Sequence, residues 1–176
     1  MNCELKTELL PKVKAMIFDV DGVLSISTVQ LYPDSELVRV VNTKDGYALN
    51  LAARKNIHLA IITGGNAKSV YDQYTRLGFC EIYLEVKLKI EKLHDFLTKY
   101  KLDASEVLYM GDDIPDYEVM RAVGVPVCPN DAAPEIKAIS VYVSPLNGGY
   151  GCVRDVVEQV LKAQGHWMTG KDAFGW

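Results

Sequence analysis

Six short apolar runs, at residues 13–18, 58–62, 81–84, 107–110, 125–128 and 139–143, recur along the chain, and a turn signal follows each. Runs of this length suit strands, and their near-continuous apolar character suits strands buried on both faces. Between several of them the apolar residues change to a helical period. Tyr47, Leu49, Leu51 and Ala52 form one such set, Val70, Tyr71, Tyr74 and Leu77 a second, and Ile90, Leu93, Phe96 and Leu97 a third. Val153, Val156, Val157, Val160 and Leu161 form the last. Strands that alternate with helices pair in parallel through crossovers, which places helices on both faces of one sheet. The expected fold is α/β, a Rossmann-like three-layer sandwich with a mainly parallel sheet.

One segment breaks the alternation. Within 28–41, Val29 and Leu31 alternate with polar residues, Pro33-Asp34-Ser35 makes a turn, and Leu37, Val38, Val40 and Val41 follow. This reads as a β-hairpin inserted after the first strand. No insertion is long enough to form a large cap domain. A chain of 176 residues fits one domain over 1–176, with its core at about 13–163 and a tail at 165–176 that lacks periodicity. A frayed end is the expectation for that tail.

The charge balance is −4, with a pI near 5.4. Such a chain has no general attraction for nucleic acid or anionic membranes, so an anionic ligand needs a local positive site. No apolar run approaches the roughly 20 residues that span a bilayer. Residues 1–12 carry charges throughout and contain no signal-peptide core. Cys3, Cys80, Cys128 and Cys152 form no C-x-x-C pair. Free thiols in a cytoplasmic protein, with neither nucleic acid nor membrane as a partner, are expected.

Chemistry enters at the ends of the strands. The first run stops at Asp19-Val20-Asp21-Gly22. Alternate residues of a strand point the same way, so both carboxylates leave its C-terminal end together, where open α/β sheets bind their ligands. Like charges this close repel unless a divalent cation sits beside them, or one carboxyl keeps its proton and acts as a general acid. A pair of turn-forming aspartates before a glycine is the competing explanation.

Three further signals weigh against that explanation. The second run ends in Thr63-Gly64-Gly65-Asn66 just before a helical pattern, where a hydroxyl and open amides can cradle an anion. Lys87 and Lys89 precede the third helix, and Lys89, immediately before Ile90, is chosen as the lysine that neutralises charge. The fourth run opens into Gly111-Asp112-Asp113-Ile114-Pro115-Asp116, three acids suited to a hard cation through oxygen ligands.

Through Asp19-Val20-Asp21-Gly22, Ile62-Thr63-Gly64, Lys89 and Gly111-Asp112-Asp113 with Asp116, the chain resembles the haloacid dehalogenase-like phosphohydrolases over residues 13 to 163. The resemblance implies two-step phosphoryl transfer through an aspartyl-phosphate. Asp19 is then the nucleophile, and Asp21 the acid that protonates the leaving alcohol and later the base that activates water. Magnesium, with manganese or cobalt as substitutes, is held by Asp19, the main-chain carbonyl of Asp21 and Asp112, supported by Asp113 and Asp116. Thr63, Gly64 and Lys89 bind the phosphate.

A closer resemblance is to the capless branch, the 3-deoxy-D-manno-octulosonate 8-phosphate phosphatases of lipopolysaccharide precursor synthesis. It rests on the hairpin, Lys44-Asp45-Gly46-Tyr47, Gly148-Gly149-Tyr150-Gly151 leading to Arg154, and Ala163-Gln164-Gly165. It implies a homotetramer whose hairpins close neighbouring sites, with Val29, Leu31, Val38 and Val40 at the interface. The phosphorylated sugar acid needs a second cation for its carboxylate, for which Lys44 and Arg154 are the candidates. Departures occur at Ser25-Ile26-Ser27, at Lys44 where relatives commonly have arginine, and at Gly65, often an arginine in octulosonate enzymes and an acid in nonulosonate ones. A nine-carbon 2-keto-3-deoxy acid 9-phosphate is therefore an alternative substrate. A non-catalytic assembly or regulatory module on the same fold is an alternative of another class.

Overall fold

Ala15–Phe18 (β1) is buried on both faces because it has a strand on either edge and a layer of helices on either side. The computed structural model describes residues 8–31 and 37–175. Its sheet runs in the order β3-β2-β1-β4-β5-β6, with β2 at His58–Ile62, β3 at Glu81–Tyr83, β4 at Val107–Met110, β5 at Val125–Cys128 and β6 at Tyr142–Val143. Every pairing is parallel. All six C-terminal ends therefore reach one edge, and the winding reverses between β1 and β4, which opens a crevice there.

Alternation along β1 divides the core in two. Met16 and Phe18 join Leu59 and Ile61 beneath Thr43–Arg54 (α1), Lys68–Arg76 (α2) and Cys152–Ala163 (α6). Ala15 and Ile17 join Ala60, Ile62 and Tyr109 beneath Lys89–Tyr100 (α3), Tyr117–Ala122 (α4) and Pro134–Ile139 (α5). Asn42 starts α1 by accepting the amide of Lys44 at 2.9 Å, as expected of an N-cap. No helix among the described residues is long and apolar enough to cross a membrane.

The mainly parallel α/β sheet is as expected, with three local corrections. Residues 139–143 are not one strand: Ile139 closes α5 and only Tyr142 and Val143 pair with β5. Helices α4 and α5 have six residues each, too short to display a helical period. Among the described residues the hairpin shows isolated bridges, one in which Gln30 and Val38 exchange both backbone hydrogen bonds at 3.3 Å and one between Val41 and Ser25. Its turn at Pro33-Asp34-Ser35 lies outside the described residues. A two-stranded ribbon with no third strand gains too little to extend its ladder.

The tail is docked rather than frayed. Trp167 packs on the core, Tyr47 donates its hydroxyl hydrogen to the carbonyl of Ala173, and Arg54 reaches the carbonyl of Gly175 at 3.0 Å. Buried aromatic surface and these bonds offset the entropy of ordering the end of the chain.

Candidate active site

Asp19 is the first residue beyond β1, and its amide still pairs with the carbonyl of Met110 on β4 at 3.0 Å. Thr63 stands in the same place beyond β2, its amide bonded to Tyr83 at 3.0 Å. Asp112 follows β4 by one glycine, and Lys89 begins α3. Parallel register thus gathers four distant residues at one edge. Gly22 lets the loops after β1 and β4 meet: its φ is +88°, and a Cβ there would lie 2.0 Å from Asp112 Oδ2.

The pocket formed at this edge has a volume of about 440 Å³, and its wall contains Asp19, Asp21, Thr63, Gly64, Lys89, Asp112, Asp113 and Asp116. A groove of about 450 Å³ at the opposite end of the strands is lined by Lys14, Lys55, His58 and His166 without a carboxylate, so it lacks this chemistry.

Lys89 is buried between two acids, with Nζ 2.7 Å from Asp116 Oδ1 and 3.0 Å from Asp19 Oδ1. Burial works against its charge, but the two carboxylates outweigh that and raise its pKa. A 3-10 turn at Ile114–Asp116, begun by Pro115, folds Asp116 back beneath the site. Both oxygens of Asp116 are engaged: Oδ1 accepts from Lys89 and from Tyr109 Oη at 2.8 Å, and Oδ2 from the amide of Asp112 at 3.1 Å. Asp116 therefore fixes Lys89 and the backbone of Asp112. Burial and the neighbouring carboxylates push the Tyr109 hydroxyl far above its usual range, so it stays a donor.

Oxygens of Asp19, Asp112 and Asp116 all lie within 4.8 Å of one another. Burial, then the charge of Asp116, pushes the Asp19 carboxyl up to about 6 against the opposing pull of Lys89. Asp112 is pushed up to about 8 by burial and by Asp19, Asp116 and Asp113. One lysine does not balance this concentration of negative charge. An all-oxygen donor set with excess charge fits a hard divalent cation. Thr63 accepts the amide of Gly65 on Oγ1 at 3.1 Å, which leaves its hydroxyl hydrogen to donate to an anion.

Lys44 and Arg154, expected at the substrate carboxylate, do not line the pocket. Lys44 is exposed on the first turn of α1. Arg154 is held on α6 by Glu158 at 2.8 Å, and its guanidinium lies 4.4 Å over the Trp167 ring and 5.4 Å over Tyr47. Stacking and an i,i+4 ion pair satisfy it on the face of the docked tail. Lys87 joins Lys89 as a second cation on the pocket wall.

Three contributors went unnoticed in the sequence. Tyr109 was concealed by its apolar run, although a phenol three residues before Asp112 was a usable signal. Ser27 was read only as a departure, yet it lines the pocket. Arg39 interrupts the apolar half of the hairpin, and it forks onto Asp21 with Nε 2.7 Å from Oδ1 and Nη2 2.9 Å from Oδ2.

Known proteins share this sequence and fold. Residues 68–154 match the model of the haloacid dehalogenase-like hydrolases. The 3-deoxy-D-manno-octulosonate 8-phosphate phosphatase of Salmonella typhi is 38% identical over 153 residues, 87% of this chain and 81% of that protein. The crystal structure of the enzyme of that name from Yersinia pestis superposes with a TM-score of 0.88 at 32% identity, covering 91% of this chain and 86% of that one. That from Moraxella catarrhalis, in complex with a magnesium ion, a phosphate ion and KDO, gives 0.87 at 30% identity, covering 90% and 91%. The chain belongs to the 3-deoxy-D-manno-octulosonate 8-phosphate phosphatase family, within the haloacid dehalogenase-like hydrolases.

Proposed function

We propose that this protein is a magnesium-dependent phosphatase that hydrolyses 3-deoxy-D-manno-octulosonate 8-phosphate to the free sugar acid and phosphate. The observation that carries this reading is the acidic pocket at the β1–β4 crevice, where Asp19 stands against Lys89 with Asp21 on the same wall. A relative at 30% identity holds magnesium, phosphate and the sugar acid together.

Asp19 Oδ1 is held by Lys89, and the other oxygen attacks phosphorus. As that O–P bond forms, the bond from phosphorus to the sugar oxygen breaks, and Asp21 gives its proton to the departing alkoxide. In the second half Asp21 takes a proton from water, the water oxygen bonds to phosphorus, and the bond to Asp19 breaks to release phosphate. Asp21 thus regains the proton it gave. Lys89, the Thr63 hydroxyl and the loop at Gly64 hold the phosphoryl oxygens throughout. A magnesium ion bound by Asp19, Asp112 and the main-chain carbonyl of Asp21 supplies further charge neutralisation for those oxygens. Asp113 and Asp116 support that set, and Lys87 faces the carboxylate of the sugar acid.

Leu31, Val38 and Val40 are exposed on the hairpin, at 77%, 45% and 59%. Apolar residues displayed together need a partner, and a homotetramer joined through these hairpins supplies it.

The test is magnesium-dependent phosphate release from the eight-carbon 8-phosphate, nine-carbon 9-phosphates and hexose phosphates. The expected result is the highest kcat/KM on the eight-carbon acid and a loss of at least about a thousandfold in Asp19→Asn. Preference for a nine-carbon acid would move the chain to that class. No release from any of them, with Asp19→Asn indistinguishable from the native chain, would leave the non-catalytic module standing.

A further inference from the structure

We propose that Arg39 is a positioning residue for the acid–base step: it clamps the carboxylate of Asp21 in the plane from which its proton is delivered. This rests on the reading of Asp21 as acid and base given above.

Arg39 belongs to the hairpin, 18 residues beyond Asp21, yet its side chain is only 5% exposed. It lies against an apolar seat that includes Val20, Ala67, Val70 and Leu84. From there Nε and Nη2 meet the two oxygens of Asp21 at 2.7 and 2.9 Å, while Nη1 donates to the carbonyl of Leu37 at 3.3 Å. Two parallel bonds fix the plane of a carboxylate as well as its place, which a lysine cannot do.

The clamp also leaves the oxygens unequal. A carboxylate offers about four lone-pair positions, and the fork takes one on each oxygen. Ser25 Oγ, whose one hydrogen also has the carbonyls of Val20 and Ile26 at 3.2 Å, stands 3.3 Å from Oδ1 and crowds that oxygen, so the more open side belongs to Oδ2, the oxygen beside Gly65. Oδ2 is the atom that carries the proton to the leaving oxygen and recovers it from water.

Gly65 is the counterpart of this arrangement. A Cβ at that position would lie 2.9 Å from Arg39 Nη2 and 3.6 Å from Asp21 Oδ2. The absence of a side chain is what allows the guanidinium to reach past Gly65 to Asp21. A methyl group would push the end of a flexible side chain aside at little cost in stability, and would thereby tilt the fork.

The experiment uses the dependence of acid catalysis on the leaving group. An alkoxide leaving a sugar needs a proton in the transition state, whereas nitrophenolate leaves without one. First-turnover release of leaving group is measured by rapid mixing, in the presence of magnesium, from the eight-carbon 8-phosphate and from p-nitrophenyl phosphate. In Arg39→Ala the first is expected to fall by about ten- to a hundredfold, within the range of general acid catalysis, and the second by less than about threefold. Arg39→Lys should fall between, and guanidinium ion added to Arg39→Ala should restore part of the rate on the sugar phosphate. Gly65→Ala should lower that rate in the native background and leave it unchanged in Arg39→Ala.

Equal losses on both substrates would overturn the proposal, since they would mean a damaged pocket. So would a raised KM for the sugar acid with its turnover preserved, since Arg39 would then be a carboxylate-binding residue. Should Arg39→Ala fail to fold, Arg39→Lys and Gly65→Ala carry the same comparison. A native chain that turns over neither substrate removes the phosphatase reading itself and the clamp with it. Native turnover with an unaffected Arg39→Ala removes the clamp alone.

Discussion

Lys87 and Lys89 stand two residues apart and live in opposite surroundings. Lys89 is buried at 7% exposure with two acids on its ammonium, while Lys87 is exposed on the rim of the same pocket. The first is fixed before substrate arrives, and the second is open to whatever enters. Lys87→Ala is therefore expected to raise KM for the sugar-acid phosphate by about two- to fivefold, the worth of one exposed charge contact, with kcat retained. A phosphate ester without a carboxylate should show no such change. Steady-state kinetics on the two substrates checks both statements. Lys44, on the first turn of α1, is exposed and is not on the pocket wall of this chain.

At the level of elements, the contact between α1 and α6 conceals a strained charge. Asp45 is 2% exposed, and its Oδ1 accepts the amide of Arg154 at 2.7 Å. Among the described residues its Oδ2 is a buried side-chain oxygen without a hydrogen-bond partner. Burial pushes this carboxyl from 3.8 up to about 6, against the opposing effect of the Arg154 amide and charge. A folded-state pKa above the unfolded one means that the fold binds the proton more tightly. The stability it contributes is complete below pH 3.8 and is lost as pH rises through about 6. Asp45→Asn does not titrate. Urea unfolding at pH 4 and pH 8 should show the native chain losing about 2 kcal/mol more than the variant over that interval.

The same scale shows what could be read from sequence. Strands β1, β2, β4 and β5 were legible because burial on both faces leaves an unbroken apolar run, and the carboxylates beyond β1 and β4 were legible because a parallel sheet delivers its strand ends to one edge. Helices α4 and α5 were not, since six residues hold less than two turns. Arg154 lies off the pocket wall, stacked on Trp167, a direction its place in the sequence does not record. Arg39 was invisible because its meaning depends on the hairpin folding back over Gly65, a contact no local pattern encodes.

For the whole molecule, the hairpin decides how copies meet. Leu31 and Val40, with Val38, are exposed on the hairpin. Light scattering on the native chain should give four times 19.6 kDa, and Leu31→Glu with Val40→Glu should give a smaller assembly. A native mass of 19.6 kDa would assign those residues to another partner.

The strand order also sets a schedule for biosynthesis. β1 ends at Phe18, and the neighbour on one of its edges, β2, begins at His58; the neighbour on the other, β4, begins at Val107. The central strand is thus translated first and completed late, and until Val107–Met110 leaves the ribosome it is an open edge of an unfinished sheet. Asp19 waits with it, because Asp112 and Asp116 arrive only after that strand. A nascent chain therefore acquires its acidic pocket and loses its stickiest edge in the same event.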